Sequence, residues 1–144
     1  MEVAVVDASV VIKWFVEEPY SDKALQLRED FVEQKINLVV PYLLRYEVLN
    51  ALKYSGGFGA KELVKIAAIL DDYQFFEMHI SGVYAEETVR ISTDYGLTIY
   101  DSCYAAIGKV RRLRVFTADD KLLTKVRDID FIKHIADYDH HLKS

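Results

Sequence analysis

Four acidic residues stand where a folding chain does not ordinarily place a carboxylate. Asp7 ends the apolar run Val3-Ala4-Val5-Val6, which reads as a buried strand. Glu47 sits among Leu43, Leu44, Val48, Ala51 and Leu52. With Leu44 as reference and about 100° per residue, Glu47 falls near −60°, inside an arc from about −100° to about 80°, and Asn50 lies at its edge. Asp101 separates the apolar "LTIY" from "SCYAAIGKV", and Asp119 with Asp120 follows "VFTA". Taken singly, Asp7, Asp101 and Asp119 are explained as helix caps. Glu47 is explained by a partner Arg or Lys, or by a rim position that reaches water. Taken together, carboxylates gathered at one place repel one another, and a divalent cation is what neutralises them. Oxygen donors without Cys or His suit Mg²⁺ or Mn²⁺ rather than Zn²⁺. Such a site performs phosphoryl transfer or phosphodiester hydrolysis.

The elements that must position these residues follow from periodicity and punctuation. Strands are predicted over 3–6, 37–40, 75–80, 115–117 and 131–135. Helices are predicted over 9–16, 22–34 with Ser21 as N-cap, from Pro41 in the first turn to Tyr54, 60–71, 83–95 with Gly96 just beyond, from Asp101 to 112, and from Asp119 or Asp120 to 127. "LTIY" is read as extended. Alternation of strands and helices predicts an α/β fold, a three-layer α/β/α sandwich with a central, mainly parallel sheet. In such a sheet, ligands sit beyond the carboxyl ends of the strands, where Asp7 and Asp119 both fall. One domain is expected over 1–136, with a polar tail over 137–144.

Composition limits the function classes. The chain has 144 residues, 51% apolar and 28% charged, enough for one core without disulfides or a structural metal. A net charge of −5 argues against a protein that coats DNA. The single cysteine, Cys103, forms no internal disulfide, and a reducing cytoplasmic location is expected. The N-terminus has no basic n-region, and Asp7 interrupts its apolar run, so no signal peptide is expected. No apolar run reaches about 18 residues, so no membrane span is expected.

Four stretches occur in order: "VVDASVVIKWFVEEPYSDKA", "PYLLRYEVLNAL", "GLTIYDSCYAAIGKV" and "VFTADDKLL". In this order and spacing, from Glu2 to about Ile135, the chain resembles a PIN domain. It is most similar to the VapC type, the toxin half of a bacterial or archaeal toxin–antitoxin pair. The resemblance implies a Mg²⁺- or Mn²⁺-dependent ribonuclease, a cognate antitoxin partner, and a homodimer. It places the family's acidic positions at Asp7, Glu47, Asp101 and Asp119, which would hold the metal directly or through its waters. Asp120 could substitute in part for Asp119. Ser9 and Thr117 match the family's hydroxyl positions and would fix carboxylate rotamers. Asn50, one turn after Glu47, either does the same, touches substrate, or is a surface amide. Family analogy implies products with 5′-phosphate and 3′-hydroxyl ends.

RNA needs a positive approach to an acidic pocket. Lys13 is one candidate, and Lys109, Arg111, Arg112 and Arg114 form another group, which a solvated helix end also explains. Trp14 and Phe15 could stack on a base, but core packing accounts for them better. Cys103 reads as a packed residue. "SGGFGAK" lacks the spacing of a phosphate-binding P-loop and reads as a helix connection. His140 and His141 fall in the tail. A phosphoacceptor receiver would want an acidic pair after the first strand, and an aspartyl phosphatase D-x-D; the chain has Asp7-Ala8-Ser9. The remaining alternative is a catalytically silent PIN-like module that engages RNA or a protein through the acidic cleft.

Overall fold

The computed structural model describes residues 1–139. Among them, five strands form one parallel sheet: β1 (Glu2–Val6), β2 (Ile36–Pro41), β3 (Phe76–Met78), β4 (Val115–Thr117) and β5 (Ile132–His134). Seven α-helices connect them: α1 (Ala8–Ile12), α2 (Ser21–Val32), α3 (Leu43–Tyr54), α4 (Ala60–Tyr73), α5 (Val83–Tyr95), α6 (Ile99–Arg111) and α7 (Asp120–Lys125). The α/β class and parallel sheet expected from the alternation are those of the folded chain.

The strand order is β3-β2-β1-β4-β5. Connections run outward from β1 to β3, then cross back to β4 and β5, so the direction of winding reverses between β1 and β4. That is the topological switch point, and the crevice beyond the carboxyl ends of these two strands is where such sheets bind ligands. The register sets Val5 beside Val39 on one side and Val115 on the other. Ala4, Val5 and Val6 are completely buried, as are Leu38 and Val40. Apolar runs without alternation are the signature of strands covered on both faces.

Two close contacts fix the helices around the crevice. Helix α6 lies across β1, β2 and β4. It comes so near β4 that a methyl group on Gly108 would run into the Val115 side chain and stand 3.0 Å from the Leu113 carbonyl oxygen. On α3, Arg45 holds Glu77 through two hydrogen bonds, Nε to Oε2 at 3.1 Å and an Nη to Oε1 at 2.6 Å, and reaches Asp71 at 2.6 Å. It thereby ties α3 to β3 and α4. Trp14 packs with Phe31, Tyr73 and Phe75, and its indole donates to the Ala24 carbonyl at 2.8 Å, which places it in the core.

Several local expectations are corrected. Pro41 ends β2 rather than opening α3. Tyr20, in the left-handed region, precedes α2, and Ser21 is its first residue; the Ser21 hydroxyl accepts from the Glu18 N–H at 2.9 Å. Helix α1 stops at Ile12, and β3 is limited to three residues. "TIYD" is not extended: Thr98 caps α6, and Asp101 lies inside its first turn. Tyr138, assigned to the polar tail, is 1% exposed; its hydroxyl donates to Asp30 at 2.5 Å, and its ring meets Phe116 edge-on. His140 and His141 lie outside the described residues.

Candidate active site

Asp7, Glu47, Asp101 and Asp119 all line one cavity of about 220 Å³, together with Ser9, Ile12, Ala51 and Tyr104. Four different elements deliver the acids. Asp7 leaves β1 and caps α1, and Asp119 follows β4 and caps α7. Glu47 projects from the second turn of α3, and Asp101 from the first turn of α6. The capping explanation is therefore correct for Asp7 and Asp119, yet the same geometry points both carboxylates at the crevice.

Hydroxyls lock the two strand-end acids. Asp7 Oδ1 accepts from the Ser9 N–H at 3.0 Å and from the Ser9 hydroxyl at 2.5 Å. Ser9 Oγ in turn accepts from the Ala118 N–H at 2.8 Å and stands 3.4 Å from Thr117 Oγ1. One serine thus stitches the end of β1 to the end of β4. Thr117 Oγ1 accepts from the Asp119 N–H at 3.1 Å, and Asp119 Oδ1 accepts from the N–H groups of Lys121 and Leu122. Asp101 is set by its backbone, whose N–H donates to Thr98 Oγ1 at 3.0 Å.

The electrostatics are those of confined negative charge. Burial pushes the Asp7 carboxyl up to about 6, against the pull of the Ser9 and Thr117 hydroxyls, and the Asp101 and Asp119 charges push the same way. Glu47 is raised by burial and by Asp101. Asp101 is raised by burial and by Asp119, partly offset by Thr98 and by the charge of Lys125. Among the described residues, none of the four acids is in a salt bridge. No three His, Cys, Asp or Glu side chains among the described residues are drawn close enough to form a ready coordination shell. An all-oxygen donor set of this spread fits an ion that keeps several of its own waters, the habit of Mg²⁺, better than a tight protein cage.

Other candidate residues fall around this centre. Asp120 does not line the cavity; it is exposed and stands 3.3 Å from His134 Nε2. Asn50 is exposed and lines a second, mostly apolar groove of about 690 Å³ between α3 and α4. Leu43, Tyr46, Leu63, Val64 and Tyr100 also line that groove, and Glu47 belongs to both hollows. Lys13 flanks the site, with its side chain 9% exposed and its ammonium 3.2 Å from Glu18. Lys109 pairs with Glu87 and Arg114 with Glu2, while Arg111 lies over the Phe76 ring. Cys103 is buried and donates to the Ile99 carbonyl, which fits a packed thiol.

Two residues at the site escaped sequence reasoning. Tyr104 is 4% exposed, and its hydroxyl donates to Glu47 Oε1 at 2.6 Å. Burial and the Glu47 charge hold its phenol far above the ordinary range, so it remains a donor. It lies three residues after Asp101, on the same helix face, which is the signal that could have found it. Thr98 was visible in the pattern Thr98-x-x-Asp101, a capping signature obscured by the β-branched, apolar look of the segment.

A parallel α/β sheet with unpaired carboxylates gathered at its switch point defines a class of acidic, ligand-binding α/β domain. The PIN-domain family model matches residues 4–129. This chain belongs to the PIN-domain family, whose members are in general nucleases dependent on divalent metal. Solved structures share the fold at low identity. A toxin–antitoxin complex from Klebsiella pneumoniae is 19% identical, with a TM-score of 0.62 over 85% of this chain and 92% of that one. A Pyrobaculum aerophilum protein is 24% identical, with a TM-score of 0.61 over 94% and 90%. VapBC-1 from nontypeable Haemophilus influenzae is 13% identical, with a TM-score of 0.58 over 88% and 93%. No curated protein matches at a significant level.

Proposed function

We propose that the protein is a Mg²⁺- or Mn²⁺-dependent endoribonuclease of the VapC type, the toxin of a toxin–antitoxin pair. The observation that carries this reading is the convergence of Asp7, Glu47, Asp101 and Asp119 on one cavity, with no cation paired to any of them among the described residues. Those four residues would hold the metal. When bound, it would supply a water of lowered pKa and offset charge developing on the phosphate. Ser9 keeps Asp7 in one rotamer and holds the two strand ends together; Thr117 does the same for the turn that presents Asp119. The charge of Lys125 acts on Asp101 and is available to an incoming RNA backbone, whereas Lys13 would have to leave Glu18 to join it.

The antitoxin reading draws on the likeness to the Klebsiella toxin–antitoxin complex and on the groove beside the site. That groove is mostly apolar and shares Glu47 with the acidic cavity. Its chemistry suits an amphipathic segment whose basic side chain reaches the acids. A homodimer and a cytoplasmic location complete the reading. Among the described residues, no helix is long and apolar enough to cross a membrane.

The test is cleavage of a mixed RNA pool by the purified protein. Activity with Mn²⁺ that is lost with EDTA and lost in Asp7→Asn is the expected outcome. Cleavage that persists through both treatments overturns the metal reading. RNA binding without turnover, in the presence of Mn²⁺, identifies a silent binding module instead.

A further inference from the structure

Three of the four acids are held where they are by their place at an element end. Asp7 and Asp119 are clamped by the N–H groups of the helices they cap, and Asp101 is set by the Thr98 cap on its own backbone. Glu47 has no such restraint. It sits inside α3, and its side chain has one more rotatable bond than aspartate, so it loses more freedom when it is fixed in one place. Among the described residues, the only hydrogen bond to its carboxylate comes from Tyr104 Oη at 2.6 Å. The tyrosine itself has little freedom. Its ring is buried on α6, one turn after Asp101, in a helix pressed closely against β4.

We infer that Tyr104 is the positioning residue that aims Glu47 into the acidic cavity, so that α6 delivers Asp101 directly and Glu47 by way of the tyrosine hydroxyl. The phenol occupies Oε1 and leaves Oε2 outside any hydrogen bond among the described residues. A long, mobile carboxylate is thereby converted into a fixed donor. This inference rests on the metal-dependent reading given above, and it assigns a role to a residue of the same site.

The test measures Mn²⁺ binding without RNA, by the free-ion electron paramagnetic resonance signal, in wild type, Tyr104→Phe, Glu47→Gln and the double variant. Tyr104→Phe removes one oxygen and keeps the ring, and thermal melts check that each variant is folded. Loss of an outer-shell partner ordinarily weakens metal binding about 10- to 100-fold, and a loss of about tenfold is expected here. In the Glu47→Gln background the same change should cause no further loss, because the hydroxyl acts only through that carboxylate. Tyr95, whose hydroxyl donates to Asp128 on the exposed surface, serves as control; Tyr95→Phe should bind Mn²⁺ as wild type does. Unchanged affinity in Tyr104→Phe, or a full additional loss in the double variant, overturns the inference and leaves the metal site standing. Wild-type protein that binds no Mn²⁺ overturns both.

Discussion

Asp7 shows how one side chain can both cap a helix and line an acidic cavity. Its carboxyl rises from an ordinary 3.8 to about 6 because burial penalises the charge more than Ser9 and Thr117 stabilise it. The folded state therefore keeps a proton that the unfolded chain releases. The resulting stability is fully present below pH 3.8 and is lost as pH rises through about 6. For the metal-free protein the loss is on the order of 3 kcal/mol. Glu47 and Asp101 are shifted in the same direction and add to the decline. Urea denaturation at pH 4.5 and pH 7.5 checks this: metal-free wild type should be more stable at the lower pH. Asp7→Asn should flatten the difference and exceed wild type at pH 7.5. In RNA cleavage the same variant should lose at least about 100-fold. Asp7, Glu47, Asp101 and Asp119 stood out in the sequence as acids beside apolar runs, whereas Ser9 and Thr117 entered only through the family resemblance. Tyr104 was not legible, because a tyrosine on an apolar helix face is ordinary core material until its hydroxyl partner is seen.

At the scale of elements, the site depends on how closely α6 can lie on the sheet. Gly108 permits that approach, since a Cβ would meet Val115, the Leu113 carbonyl and, at 3.1 Å, Phe131. Gly108→Ala should cost roughly 1–3 kcal/mol through overpacking, measured as a lower urea midpoint with an unchanged slope. A midpoint equal to wild type would show that α6 has room to move. The strands and long helices were legible from apolar runs and from the 3.6-residue stripe, which tertiary packing reinforces. Their ends were less so. Pro41 suits a helix first turn and the end of a strand equally, and the folded chain uses it in the strand. Thr98 decided the start of α6 through a hydrogen bond from Asp101 N–H, against the strand-like composition of "LTIY". The Arg45 link to Glu77 and Asp71 joins residues distant in sequence, and nothing local announces it.

At the scale of the whole molecule, the chain is closed at its far end by Tyr138. The Lys23 ammonium donates to the Tyr138 carbonyl at 2.9 Å, and the Tyr138 hydroxyl reaches the buried Asp30 on α2. Tyr138→Phe removes one partner of a buried carboxylate and should cost about 1–3 kcal/mol, read from the urea midpoint. Tyr138→Ala also empties the space beside Phe116 and should cost about 3–5 kcal/mol. Under the proposed metal reading, the acidic cavity would couple global stability to the ion. At a Mn²⁺ concentration 100 times its dissociation constant, the fold should gain about 2.7 kcal/mol. Calorimetric melts with Mn²⁺, and again after EDTA, check this. A midpoint indifferent to both would remove the ion from the site.

The bond from Ala118 N–H to Ser9 Oγ joins residues 109 apart in the sequence. During synthesis, β1 and Ser9 emerge early, but the strand that must lie beside them is made only after more than a hundred further residues. A nascent chain, or a fragment cut short before Val115, holds three of the four acids and has no second wall to set them against. Under the nuclease reading proposed above, cleavage would begin only once this second wall is made, and a fragment ending before Val115 should cleave nothing.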